Sequence, residues 1–243
     1  MISLGAELGF VVSDPRFPPV PAPMPTPAAT VVPVRDGSAG LEVLLLRRNA
    51  RGPFGGMWVF PGGQIDESDM AGAGDEIEGS RRAAVREAKE EADLDLEAAA
   101  LVPLSFWLPP PEAPRRFATW FFLAPVPPGG GVVVDRVEIR EHRWMAPRAA
   151  MLARNGGDIE LAPPTFTTLW WLSHYDDVAA AMEAAASRPP EQYHTHIAAG
   201  TDRRILASLW AGDEGYEDLD IERPGPRRRL LMDPTGWRVE IDQ

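Results

Sequence analysis

The string Arg86-Glu87-Ala88-Lys89-Glu90-Glu91 restricts the fold of this chain more than any other stretch. On a helix, Glu87, Glu90 and Glu91 fall at i, i+3 and i+4, so their carboxylates share one face. If that face is exposed, each like-charged pair costs a few tenths of a kcal/mol. If it is partly buried, Coulomb's law at ~6 Å and an effective dielectric of ~20 gives roughly 3 kcal/mol per pair. The fold must therefore leave the face in water or bring a cation to it. Hard oxygen ligands grouped in this way suit Mg²⁺ or Mn²⁺, with waters and substrate phosphates completing the shell. The plainer alternative is a solvated acidic face on which Arg86 pairs with Glu90 at i, i+4. The six residues alone leave both readings open.

The flanking segments put this helix in an α/β setting. Eight prolines between Pro15 and Pro33 predict an extended or PPII-like arm, or else a disordered leader. Ala29 to Val34 and Leu41 to Arg48 read as strands of a hairpin turning at Asp36-Gly37-Ser38-Ala39-Gly40. A loop over Gly52 to Gly56 leads into the apolar run Met57 to Phe60, which Pro61-Gly62-Gly63 stops. The acidic stretch from Gln64 to Gly79 predicts a surface loop, and Ser80 an N-cap for a helix running to about Ala92. Further strands are predicted at Leu101 to Trp107, Phe117 to Pro125 and Glu141 to Met145. Pro147 to Arg154, Pro164 to Tyr175 and Asp176 to Ser187 look helical, and Arg227 to Met232 with Trp237 to Ile241 reads as a terminal hairpin. That order predicts one α/β domain, a mixed sheet between helices, with helical and hairpin additions at the C-terminus.

Composition narrows the partners. With 243 residues, 44% hydrophobic and 25% charged, the chain has the make-up of an ordinary globular protein. A net charge of -12 argues against a polymeric nucleic acid, whose phosphates demand a basic surface, but leaves room for a small anion bound through cations. The absence of cysteine excludes disulfides, thiolate metal sites and cysteine nucleophiles. Met1 to Arg16 lacks a basic segment followed by an apolar core, and no stretch approaches the ~18 apolar residues of a membrane span. A cytoplasmic protein with no membrane partner is the expectation.

Phe60-Pro61-Gly62-Gly63, then Glu78, then Arg86-Glu87-Ala88-Lys89-Glu90-Glu91-Ala92-Asp93-Leu94 resemble the Nudix box, G-x5-E-x7-R-E-U-x-E-E-x-G-U with U a bulky aliphatic residue. In this alignment Gly63 is the first glycine, Glu78 the first glutamate and Arg86 the arginine. Fourteen residues rather than five separate Gly63 from Glu78, an insertion of nine in a loop, where added length is cheap. Asp93 stands at the helix-ending glycine and would have to adopt the left-handed conformation, at ~1 kcal/mol. The resemblance implies the Nudix α/β/α sandwich with a mixed β-sheet, plus C-terminal helical and β-hairpin additions. A proline-rich arm would cover 1–28, the Nudix hydrolase domain 29–187, and a C-terminal extension packed on that domain 188–243.

The resemblance also implies roles. Glu87, Glu90 and Glu91 would ligate Mg²⁺ or Mn²⁺, together with the backbone carbonyl of Gly62. Arg86 would orient the acids by pairing with Glu78. Glu87 would activate water, unless the base lies outside the box, where Glu138 and Glu141 are the candidates; the plain alternative for both is a solvent-facing acid. Val43 to Arg48, Gly56 to Gly63, Arg116 to Phe122 and Leu161 to Thr165 are similar to a subgroup containing peroxisomal acyl-coenzyme A diphosphatases and bacterial relatives. Its coenzyme A signature has an arginine four residues before Gly56, where this chain has Gly52 beside Arg51. Arg115, Arg116 and Phe117 are candidates to clamp phosphate or stack on adenine, or else rim charges beside a core aromatic. Trp170 and Trp171 read as core, and His142, His174, His194 and His196 form no metal spacing. The expected activity is hydrolysis of a nucleoside diphosphate linked to another group, such as CoA or acyl-CoA. The alternatives are an ADP-ribose or dinucleotide pyrophosphatase, and a non-catalytic Nudix-fold module that binds a nucleotide. The arm would suit an exchange contact in a homodimer.

Overall fold

Glycine at position 40, with φ +112°, lets the chain reverse between two β-branched and leucine-rich runs, so β1 (Thr26–Gly37) and β2 (Gly40–Arg48) pair antiparallel with Gly37 opposite Gly40. The computed structural model describes residues 24–50, 54–127 and 131–242, so most of the proline-rich arm and the 51–53 segment with Arg51 and Gly52 lie outside the described residues. Two short strands follow, β3 (Trp58–Val59) and β4 (Gly62–Gln64). The acidic stretch after them is not a plain loop: it contains β4, a one-turn helix α1 (Glu67–Met70) and the start of α2 (Glu76–Ala92). Ser80 is not the N-cap of α2. Asp75 is, its side chain accepting the Glu78 N–H at 2.8 Å, while Ser80 is buried in the second turn and donates to the Glu76 carbonyl.

The remaining elements are β5 (Val102–Leu108), β6 (Phe117–Pro125), β7 (Ile139–Met145), α3 (Pro147–Gly156), α4 (Pro163–Leu172), α5 (Val178–Ala186), β8 (Glu191–His194), β9 (His196–Ala199), β10 (Ile205–Leu209), β11 (Arg228–Asp233) and β12 (Gly236–Ile241). The described residues divide into two units, one within 27–106 and 119–192, the other within 24–26, 107–118 and 193–242. No helix among the described residues is long and apolar enough to cross a membrane.

In the larger unit the strands run in the order β3-β2-β1-β6-β5, with β4 on β1 and β7 on β2, and helices flank this mixed sheet. Ala29 and Val31 of β1 and Leu44 and Leu46 of β2 alternate onto one face, as the two-residue period of a strand requires. Against them α2 lays Ala83, Ala84, Ala88 and Ala92, all fully buried. These small side chains bring the helix backbone close to the sheet, which explains alanine at position 88 where the resemblance led us to expect a bulkier residue. Close approach also fixes the depth of the neighbouring glutamates.

In the smaller unit β9 to β12 form a four-stranded antiparallel sheet in sequential order. The terminal hairpin was legible in the sequence, whereas β8, β9 and β10 were not; His194 and His196 lie on β8 and β9. Trp107, Tyr193 and Trp210 pack together there, with Trp107 stacked on Tyr193 at 4.0 Å between ring centroids. Asp213, in the loop that joins β10 to β11, forms a buried ion pair with Arg229 of β11.

Candidate active site

The acids of α2 differ sharply in depth. Side-chain exposure is 6% for Glu91, 15% for Glu87 and 59% for Glu90. Glu91 sits where the helix is closest to the sheet and accepts the Gly62 N–H at 3.0 Å, and Arg48 stands 3.5 Å from its other oxygen. Burial pushes its carboxyl up to about 7 despite Arg48 and the Gly62 N–H, and the neighbouring charges of Glu87 and Glu138 push the same way. Glu87 is also raised, first by burial and then by Glu90 and Glu138, against the pull of Arg86. Two glycines stand beside them, and at Gly62 the neighbouring backbone leaves no room for a side chain. A Cβ on Gly63 would enter the Glu87 carboxylate, and one on Gly62 would meet Thr30 and the Ala29 carbonyl.

Arg86 holds Glu87 at 2.8 Å and Glu90 at 3.2 Å, the second being the i, i+4 contact of the plainer solvated-face alternative. It does not pair with Glu78. Its other partners are the Gln64 carbonyl at 3.0 Å, the exposed Asp66 at 3.7 Å and Asp69 at 2.9 Å, the last a carboxylate only 6% exposed. Burial alone would raise Asp69, but the hydrogen bonds from Arg86 and from the Asp66 N–H outweigh it and hold the acid below the ordinary aspartate range. Glu78 instead binds Arg82 and the Gly74 N–H at the solvent side of the helix. The spacing now makes sense: five residues separate Gly63 from Asp69, the interval of the box, and the nine extra residues fall after Asp69. An aspartate carries the role expected of a glutamate. The sequence held that signal, but the seven-residue interval from Glu78 to Arg86 obscured it.

Of the two acids considered outside the box, only Glu138 reaches the cluster. Its carboxylate lies 2.5 Å from Arg48, which it shares with Glu91, and its charge is felt at both Glu87 and Glu91. Glu141 is taken up by Arg143 at 2.6 Å and Arg47 at 3.5 Å, which hold it below the usual range. Among the described residues no three acidic or histidine side chains converge into a ready cation cage. The donor set nevertheless fits a hard divalent ion, because two adjacent carboxylates are withdrawn from water and Glu91 has one backbone donor and one distant guanidinium.

The other expectations fare unevenly. Asp93 does end α2 in the left-handed conformation, with φ 54°, and its carboxylate pairs with Lys89 at 2.6 Å. Arg116 donates to the Pro109 carbonyl at 3.1 Å, closing the 109–116 turn of the smaller unit, where Arg115 is exposed and Phe117 half-buried. Trp170 and Trp171 are half-buried rather than core: Trp170 stands against His174 and Trp171 beneath Arg188. His196 stacks on Tyr216 at 4.2 Å, a packing role.

Comparison with known proteins supplies the family. The NUDIX domain family matches residues 24–163. A Caenorhabditis elegans protein that carries the name nudix hydrolase 7 is 29% identical over 234 residues, covering 80% of this chain and 77% of that protein. The crystal structure of a NUDIX hydrolase from Alicyclobacillus acidocaldarius superposes with a TM-score of 0.60 at 24% identity, over 68% of this chain and 98% of that one, a likeness of fold. The chain belongs to the Nudix hydrolase family, whose members use divalent cations to act on nucleoside diphosphates linked to a further group.

Proposed function

We propose that this chain hydrolyses a phosphate anhydride with Mg²⁺ or Mn²⁺, and that CoA and acyl-CoA are the first substrates to test. The observation that carries the reading is the pair Glu91 and Glu87, drawn below the surface beside Gly62, where a Cβ would strike the β1 backbone. Glu87, Glu90 and Glu91, with the Gly62 backbone, would hold the cation. When bound it neutralises the diphosphate oxygens and lowers the pKa of a water. Arg86 keeps Glu87 and Glu90 oriented, and its bond to Asp69 keeps Arg86 in place. Glu138 is the acid best placed to take the proton of the attacking water, since Glu141 is committed to two arginines. A cation held by Glu87, Glu90 and Glu91 would stabilise the charge that grows on the phosphoryl oxygens more than it does the ground state. The coenzyme A choice rests on the subgroup likeness of Val43 to Arg48 and Gly56 to Gly63.

The test is a panel of CoA, acyl-CoA, ADP-ribose, NADH and nucleoside triphosphates with each metal, run with Glu90→Gln alongside. We expect turnover of at least one diphosphate and a kcat lower by two or more orders of magnitude in Glu90→Gln, with the melting temperature kept. Tight binding of a panel member without turnover would make the domain a nucleotide-binding module instead.

A further inference from the structure

The acid outside the box lies on a segment held at both ends. At one end the Val133 N–H donates to the Ala92 carbonyl at 3.1 Å, joining the segment to the last turn of the carboxylate helix, while Val132 and Val134 pack on the core. At the other end stands Asn49, the first residue after β2. Its N–H donates to the Glu138 carbonyl at 2.7 Å, its Nδ2 donates to the Val137 carbonyl at 2.6 Å, and its Oδ1 accepts from Arg140 Nε at 2.5 Å. Between these ends Asp135 accepts the N–H groups of Val137, Glu138 and Ile139 at 2.9 to 3.2 Å, folding the backbone into a tight turn. The register between β2 and β7 slips at Arg47/Arg48, a bulge that turns Arg48 toward both Glu91 and Glu138.

We propose that Asn49 is a positioning residue for the reaction, acting through Glu138. Glu138 is itself exposed, and an exposed glutamate on a free loop would sample many rotamers and backbone positions. Asn49 removes that freedom by grasping the carbonyls of Val137 and Glu138 while Arg140 fixes its own amide. With Arg48 as the second handle, the carboxylate stays beside Glu87 and Glu91, where a misplacement of about 1 Å can cost on the order of a hundredfold in rate. This rests on the reading of Glu138 as the proton acceptor.

The experiment uses the full chain with Mg²⁺ and whichever panel member is turned over fastest. Asn49→Ala removes both side-chain contacts, and Asn49→Asp keeps the Arg140 partner but loses the donor to Val137. Both should lower kcat at least tenfold, with KM within about twofold. In a Glu138→Gln background the same changes should leave kcat unaltered, because the group they position is already gone. An equal loss in both backgrounds, or no loss in the native one, overturns the proposal. Amide exchange of residues 135–139 supplies a readout without turnover: it should accelerate in Asn49→Ala and Asn49→Asp but not in Glu138→Gln. Unchanged exchange in the Asn49 variants also overturns it. A chain inactive on every substrate but with accelerated exchange sinks the hydrolase reading, and with it Asn49's part in a reaction, leaving only the brace.

Discussion

Arg86 is one guanidinium with four acceptors, and its choice among them decides which acids matter. Asp69 is buried and bidentate to it, whereas Glu78 faces solvent and Arg82. Asp69→Asn should therefore cut turnover by about tenfold or more, while Glu78→Gln stays within about twofold, as steady-state kinetics would show; the reverse order would restore Glu78 to the role first given it. Glu91 yields a second prediction. Its folded pKa of about 7 lies above the ordinary 4.5, so the folded chain binds that proton more tightly than the unfolded chain does. Metal-free stability should then fall as pH rises through that interval, by at most about 3 kcal/mol at 1.36 kcal/mol per unit. Glu91→Gln should flatten the fall and raise the metal-free melting temperature at pH ~8. A flat profile in the unmodified chain would contradict this.

Helix α2 joins a legible middle to an illegible start. Its carboxylate face and its end at Ala92 follow from the sequence, and Asp93 accepts the left-handed position because its short polar side chain tolerates it. The start was misread because Ser80 is a good N-cap residue and the glycine-bearing stretch before it looked irregular. What sequence reasoning could not weigh is that Asp75 reaches the Glu78 N–H while Ser80 faces the interior. Thermal unfolding distinguishes the two. Asp75→Ala should cost about 1 kcal/mol, the usual worth of a cap, and Ser80→Ala less than about 0.5 kcal/mol, since alanine suits a helix interior.

At the scale of the molecule, the smaller unit stakes stability on a buried charge pair. Asp213 is fully buried and Arg229 nearly so, at 2.5 Å. Burial raises Asp213, but the bonds from Arg229 and from the N–H groups of Arg228 and Gly215 outweigh it, so its carboxyl lies below the ordinary range. A depressed carboxylate adds stability above its unfolded pKa of about 3.8, and that contribution is lost as pH falls through the lower folded value. Acid unfolding should show this component in the native chain and not in Asp213→Asn. Arg229→Met leaves the aspartate buried and unpaired, and should cost about 3–5 kcal/mol in denaturant melts at neutral pH.

The sequence by itself determined the family, the first hairpin, the carboxylate helix, its left-handed end and the terminal hairpin. Each depends on a local period, a turn residue or a spaced motif, which the chain carries wherever it folds. Only the tertiary structure decided that Asp69 answers Arg86, that Glu138 rather than Glu141 approaches the acids, and that Glu91 is the deep carboxylate. Those outcomes depend on which side chains meet across β2, β4, α2 and the 131–138 segment, and on how near alanines let a helix lie to a sheet. Burial and partner choice are properties of that packing: the chain carries both the five-residue interval to Asp69 and the seven-residue interval from Glu78 to Arg86, and only the packing decides between them.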